Sequence, residues 1–240
     1  MVEFEHMEKI SELSLFFPAY NEESRLKNTV EKAITVLEKI AGKYEIIIVN
    51  DGSTDKTGKV ASELANKHSF IKVVTHKPNR GYGAALKSGM YASRYDWIAF
   101  TDSDGQFDFA EITKFIDKQR DTGADLAIGY YLKRAVPFYR ILGSKIWELA
   151  VFLLFGLKVK DIDCGFKFFR KKVVETIPKL EAERGPFITS EFLIKAKKAG
   201  FKISQVGVHH YPRVGGKETG ASLKVIFAGL SDLIKLRRKI

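Results

Sequence analysis

Short, almost uninterrupted apolar runs alternate with longer amphipathic stretches through the first hundred residues. Leu13 to Pro18, the Ile-Ile-Ile-Val run within Glu45 to Asn50, Ile71 to Thr75, and Trp97 to Thr101 each have the length and β-branched or aromatic content of strands buried on both faces. Between them, Asn21 to Ile40, Asp55 to Lys67 and Tyr82 to Ser93 repeat their apolar positions with the helical period. The acidic pair Glu22 and Glu23 is expected in the first turn of the first helix, where it would suit the helix dipole. Repeated strand–helix units predict an α/β fold, its mostly parallel central sheet flanked by helices and joined by right-handed crossovers. No repeat, low-complexity tract or linker divides the chain, so a single domain over residues 1–240 is expected.

The second half changes character. Ile146 to Phe155 is nearly all apolar but too short to span a bilayer; flanked by Lys145, Lys158 and Lys160, it reads either as an interfacial helix with Trp147 near the headgroups or as a buried core helix. Leu223, Ile226, Phe227, Leu230 and Leu233 form a second amphipathic stripe, closed by the basic run Lys235 to Lys239. That helix could lie on anionic lipid, at about 1 kcal/mol per basic residue, or pack on the domain. With 40 Lys and Arg against 29 Asp and Glu, the formal charge of +11 favours polyanionic partners without choosing among nucleic acid, lipid headgroups and phosphorylated substrates. The lone Cys164 excludes an intramolecular disulfide and fits a reducing compartment, and the N-terminus lacks the pattern of a secretory signal. A cytoplasmic protein, peripheral on the membrane, is the expectation.

The most pointed chemistry follows the fourth apolar run, at Asp102-Ser103-Asp104-Gly105-Gln106. Two carboxylates two residues apart at a strand end, with the Gln106 amide, can hold a hard divalent cation. The alternative is a turn in which Asp108 caps the next helix. Ala19 to Glu22 and Asp51 to Asp55 also follow predicted strands, so all three polar clusters belong on one rim, where open parallel sheets bind ligands. A GxGxxG dinucleotide fingerprint and a P-loop are both missing, which argues against NAD enzymes and P-loop ATPases.

In their order and spacing, Phe17 to Glu23, Ile48 to Asp55, Asn79 to Ala85 and Asp102 to Asp104 resemble the motifs of glycosyltransferase family 2. Phe138 to Ser144, Asp161 to Lys167 and Tyr211 to Lys217 are most similar to the dolichyl-phosphate and polyprenyl-phosphate sugar synthases within it, and the resemblance covers about residues 11–220. It implies a GT-A fold, with a nucleotide-sugar half at about 11–129 and an acceptor half at about 130–240. It also implies a metal-dependent, inverting transfer of a hexose from a nucleoside diphosphate sugar, GDP-mannose or UDP-glucose, to a lipid phosphate.

On that resemblance Pro18, Tyr20, Glu22, Val49, Asp51, Asp102 and Ser103 would line the nucleotide-sugar pocket, with Tyr20 packing on base or ribose and Asp51 accepting a base N–H. Asp102, Asp104 and Gln106 would hold Mg²⁺ or Mn²⁺ on the diphosphate. Arg140 and Ser144, four apart on one helical face, with Lys133 and Arg134, would grip the acceptor phosphate. Arg213, helped by Lys217, would reach the phosphates from a loop that Gly215 and Gly216 allow to close. Many relatives carry a Gly-Ser-Arg pattern where this chain has Gly129-Tyr130-Tyr131. Glu191 would act as general base for a hydroxyl acceptor; a lipid phosphate is already ionised and needs none. A non-catalytic binding module for anionic lipid or nucleic acid would leave the acidic strand ends unexplained.

Overall fold

The computed structural model describes residues 8–133, 138–183, 187–212 and 223–239. Arg134, Arg213 and Lys217 lie outside them, as does the side chain of Arg140. Seven strands form one sheet in the order β3-β2-β1-β4-β6-β5-β7. The first four, β1 (Ile10–Ala19), β2 (Ala41–Asn50), β3 (Ile71–Thr75) and β4 (Trp97–Phe100), are mutually parallel where they pair, as the apolar runs predict. β5 (Leu126–Tyr131) and β7 (Ile203–Val208) are parallel to each other. Between β4 and β5 runs the short antiparallel β6 (Lys167–Arg170), which the apolar pattern does not announce.

Alternate side chains of the buried strands feed two cores. Leu15, Phe17, Ile46 and Ile48 pack beneath α1 (Leu26–Ile40), α2 (Thr57–Lys67) and α4 (Ile112–Thr122). Phe16, Ile47, Val49 and Phe100 face α3 (Tyr82–Ala92), α5 (Phe138–Phe155), α6 (Lys171–Thr176), α7 (Phe187–Lys198) and α8 (Leu223–Lys239). Burying each of these large side chains contributes on the order of 2 kcal/mol.

One expectation is corrected, and at two positions the packing decides between readings that the sequence left open. Helix α1 starts at Leu26 and has no acidic residue in its first turn. Glu22 instead pairs with Arg25 at 2.8 Å, and Glu23 accepts the Lys56 N–H at 2.8 Å, so both stitch rim loops before the helix begins. Trp147 turns inward: its indole N–H donates to Ser190 Oγ at 2.9 Å, and its ring meets Phe187 edge-on. Leu233 and Leu236 of α8 are buried against the second core, so this part of the C-terminal stripe packs on the domain.

Helix α5 has a buried side and an exposed apolar side. Val151 is fully buried, whereas Leu142, Ile146, Leu149 and Leu153, spaced four, three and four apart, are exposed along one side. Among the described residues, no helix is long and apolar enough to cross a membrane.

Candidate active site

The chain passes from β1 outward to β2 and β3, then returns to place β4 on the other side of β1. That reversal opens a crevice beyond the carboxyl ends of β1 and β4, the usual ligand position in such sheets. Into it lead the loop after β1 (Tyr20 to Glu22), the turn after β2 (Asp51 to Asp55) and the carboxylates after β4. Asn21 takes a left-handed φ of 56°, and its side-chain oxygen accepts the Thr54 N–H at 2.8 Å, locking the first loop to the second. Tyr20 is exposed on the rim.

Asp102 is the focus of this crevice. Tyr82, at the start of α3, donates its hydroxyl to Asp102 Oδ1 at 3.0 Å. On the other side, Gly165 leaves no room for any side chain: a Cβ there would lie 2.2 Å from Asp102 Oδ2. Burial first, then the neighbouring Asp104 carboxylate, raises the Asp102 carboxyl to about 7, against the opposing pull of the Tyr82 hydroxyl and the Lys167 ammonium. Two carboxylates held together at such cost form a donor set that a divalent cation would relieve. Among the described residues, no group of three or more His, Cys, Asp or Glu side chains could hold a metal. The pair suits a cation such as Mg²⁺, which typically takes one or two protein carboxylates and completes its shell with substrate phosphates and water.

Lys167 opens β6 fully buried. Its ammonium donates to the carbonyls of Ile162 at 3.2 Å and Cys164 at 2.5 Å, folding the 161–165 loop beneath Asp102, and burial lowers its pKa. Burial pushes the Cys164 thiol up to about 12, which leaves it inert as a nucleophile.

Several expected site residues serve the scaffold with their side chains. Val49 is fully buried in the core and cannot line a pocket with its side chain. Ser103 is buried and donates to the Pro18 carbonyl at 2.7 Å, tying the ends of β1 and β4 together, while Pro18 is itself buried. Gln106 holds the segment after β7: its side-chain amide N–H donates to Tyr211 O at 3.0 Å, and its backbone carbonyl accepts the Tyr211 N–H at 2.9 Å. Asp104 Oδ1 accepts the Gln106 N–H at 3.0 Å, and Asp108 caps a 3-10 turn at Phe109–Glu111, so the turn reading of this motif also holds.

The Asp51 carboxylate accepts from His76 Nδ1 (2.6 Å), Asn79 Nδ2 (2.8 Å), Arg80 N (3.0 Å) and Gly81 N (2.8 Å). These four bonds fill its lone-pair sites. In this arrangement it organises the turn between β3 and α3 and offers no vacant site to a base N–H. His76, whose Nε2 lies 2.9 Å from Ser88 Oγ, was not foreseen as part of this cluster.

Glu191 is not disposed as a base. It is 2% exposed, and its carboxylate accepts the N–H of Glu181 and Ala182 and the ammonium of Lys195. Ser144 and Lys133 are half-buried and exposed respectively, with Ser144 on α5 and Lys133 just beyond β5.

The carboxylate pair thus lies just beyond the end of β4, at the switch point of the sheet, where open α/β sheets bind their ligands. The model of "Glycosyl transferase family 2" matches residues 14–177, and the chain belongs to that family; it is a glycosyltransferase. Among curated proteins it is 31% identical to the dolichyl-phosphate beta-glucosyltransferase of Dictyostelium discoideum, covering 94% of this chain and 73% of that protein. The Homo sapiens protein of the same name is also 31% identical, over 86% of this chain and 69% of its own length. Glucosyl-3-phosphoglycerate synthase from Mycobacterium tuberculosis, solved with Mn²⁺, UDP and phosphoglyceric acid, shares the fold. Its TM-score is 0.69 at 20% identity, covering 93% of this chain and 78% of the other.

Proposed function

We propose that this chain transfers glucose from UDP-glucose to a polyprenyl or dolichyl phosphate, with inversion, on the cytoplasmic face of a membrane. The observation that carries the reading is the Asp102–Asp104 pair, held at the end of β4 with Asp102 raised to about 7. The names of the relatives support glucose over mannose and a lipid phosphate as acceptor.

A bound Mg²⁺ or Mn²⁺ would supply positive charge to the departing diphosphate. Asp102 and Asp104 would hold it, with Tyr82 fixing the orientation of Asp102. Tyr20 would pack on the base or ribose from the rim, and Glu22 would face the nucleotide from the same loop. Asp51 would shape the pocket through the Asn79 to Gly81 turn. On the acceptor side Lys133, Arg134, Arg140 and Ser144 would orient the lipid phosphate, with Arg213 and Lys217 adding charge. An ionised phosphate oxygen attacks without a proton being removed, which accords with the engagement of both Glu191 oxygens.

The exposed stripe of Leu142, Ile146, Leu149 and Leu153, beside Lys145, Lys158 and Lys160, would sit in the headgroup region and bring the acceptor within reach. The test is transfer of radiolabel from UDP-glucose or GDP-mannose to a short polyprenyl phosphate, with Mn²⁺ and with EDTA. Metal-dependent label in the lipid from UDP-glucose, lost in Asp104→Ala, is expected. Label from GDP-mannose alone, or transfer undiminished by EDTA, would refute the reading as stated.

A further inference from the structure

Glu191 and Lys195 lie one turn apart on α7, 2% and 4% exposed, and form an ion pair at 2.6 Å. So deeply buried a pair persists only when its remaining hydrogen-bonding capacity is filled. Here it is filled by one short segment. Glu191 accepts the Glu181 N–H at 2.9 and 3.1 Å and the Ala182 N–H at 2.8 Å, while Lys195 Nζ donates to the Lys179 carbonyl at 2.6 Å. Two side chains of α7 thus fix residues 179–182 as a strap.

The strap does not end there. The Glu183 carbonyl accepts the Ala84 N–H at 2.9 Å in the first turn of α3. At Gly83 a Cβ would come 2.8 Å from that carbonyl oxygen, so the approach is as close as glycine allows. The Glu183 carboxylate pairs with Arg80 at 2.9 Å and Lys87 at 3.2 Å. Arg80 and Gly81 are the residues whose N–H groups Asp51 binds, and the next residue, Tyr82, holds Asp102. An unbroken chain of contacts therefore leads from Glu191, through 181–183, to the turn that borders the crevice.

We propose that Glu191, with Lys195, is a positioning residue for the nucleotide-sugar donor, acting through the 179–183 strap on the Arg80 to Ala84 turn. This deepens the proposed function and rests on its placement of the donor between β1, β2 and β4. It assigns the carboxylate a role in donor affinity and none in proton transfer.

The test uses the full chain, with titration calorimetry of UDP in the presence of Mn²⁺ and steady-state transfer from UDP-glucose. Glu191→Gln replaces one acceptor oxygen with a donor facing the strap, and weakens UDP binding by about 3- to 30-fold. Glu183→Gln changes only an exposed side chain, so it folds even if the first variant does not. It weakens UDP by about two- to fivefold through loss of two surface ion pairs. Combined, the two weaken UDP by less than the product of their separate effects, because both act on one strap. With saturating donor, kcat stays within about threefold and its pH profile keeps its shape.

A kcat loss of about 100-fold or more in Glu191→Gln, with UDP affinity intact and the acidic limb of the profile gone, would make Glu191 the base and overturn the inference. Unchanged UDP affinity in Glu183→Gln would overturn it too. Failure of the wild type to bind UDP would overturn the donor-site reading along with it, whereas normal wild-type binding unaffected by either variant would overturn the strap alone.

Discussion

Replacing Gly165 with alanine adds a single methyl group against the Asp102 carboxylate. The new Cβ would stand 2.2 Å from Oδ2, 2.7 Å from Cγ and 3.1 Å from Oδ1, where ordinary contact begins at 3.4 Å. Restoring contact with Oδ2 requires a displacement of about 1 Å, which Asp102 cannot make without breaking its 3.0 Å bond from Tyr82. Misplacing a reacting constellation by that distance costs about 100-fold in rate. Overpacking costs about 1–3 kcal/mol, and for a chain of this size that lowers Tm by about 2–12 °C. Folded Gly165→Ala should therefore retain its circular dichroism spectrum, lose about two orders of magnitude in kcat/KM for glucosyl transfer, and bind Mn²⁺ more weakly. Activity within threefold of wild type, with unaltered Mn²⁺ affinity, would show that the wall behind Asp102 yields and that the site does not depend on its position.

Other outcomes follow from the same geometry. Because the Asp102 carboxyl sits at about 7, it is about one-tenth ionised at pH 6 and nine-tenths at pH 8, so Mn²⁺ affinity should rise about tenfold across that range; a flat profile in calorimetry would contradict the assignment. Tyr82→Phe removes a hydrogen bond to a charged group worth about 1.5–3 kcal/mol and should weaken Mn²⁺ without unfolding the chain, as read by the same titration. Leu149→Glu with Leu153→Glu, at two exposed positions of α5, should cut binding to anionic vesicles by at least about tenfold; unchanged cosedimentation would remove that helix from the membrane reading. Gly143→Ala, on α5 with no atom within 4 Å of the added Cβ, should raise stability by about 0.5–1 kcal/mol in urea unfolding.

The rim could be read from the sequence because its signals are local. An apolar run of four to six residues followed by a polar cluster marks a strand end, and β1, β2 and β4 all obey that rule. What the sequence hides is long-range pairing. β6 is four residues long and carries a buried lysine, so its pattern resembles a polar loop; its place is set by ladder bonds to β4 and β5. Asp51 and Glu191 were recognised as carboxylates of interest. Their donors are the backbone N–H groups of Arg80, Gly81, Glu181 and Ala182 and the side chains of His76 and Asn79, all brought in from distant loops that local side-chain spacing does not reveal. The exception is Lys195, four residues after Glu191 on a helix, a pairing that the spacing alone could have disclosed. Tyr82 lies within the Asn79 to Ala85 motif, but its hydroxyl finds Asp102 only because α3 returns the chain to β4.

The order of the strands also governs what a ribosome releases. By residue 100 the chain has supplied β1 to β4, enough for a parallel sheet whose outer strand is Trp97-Ile98-Ala99-Phe100, buried on both faces in the finished protein. Its partner β6 begins only at Lys167. At about 5–20 residues per second of synthesis, several seconds pass before that partner emerges. During this interval an apolar edge with unpaired N–H and C=O groups can recruit another nascent chain as readily as its own continuation. The late insertion of one antiparallel strand therefore predicts that slower translation or a co-expressed chaperone should raise the soluble yield on overexpression.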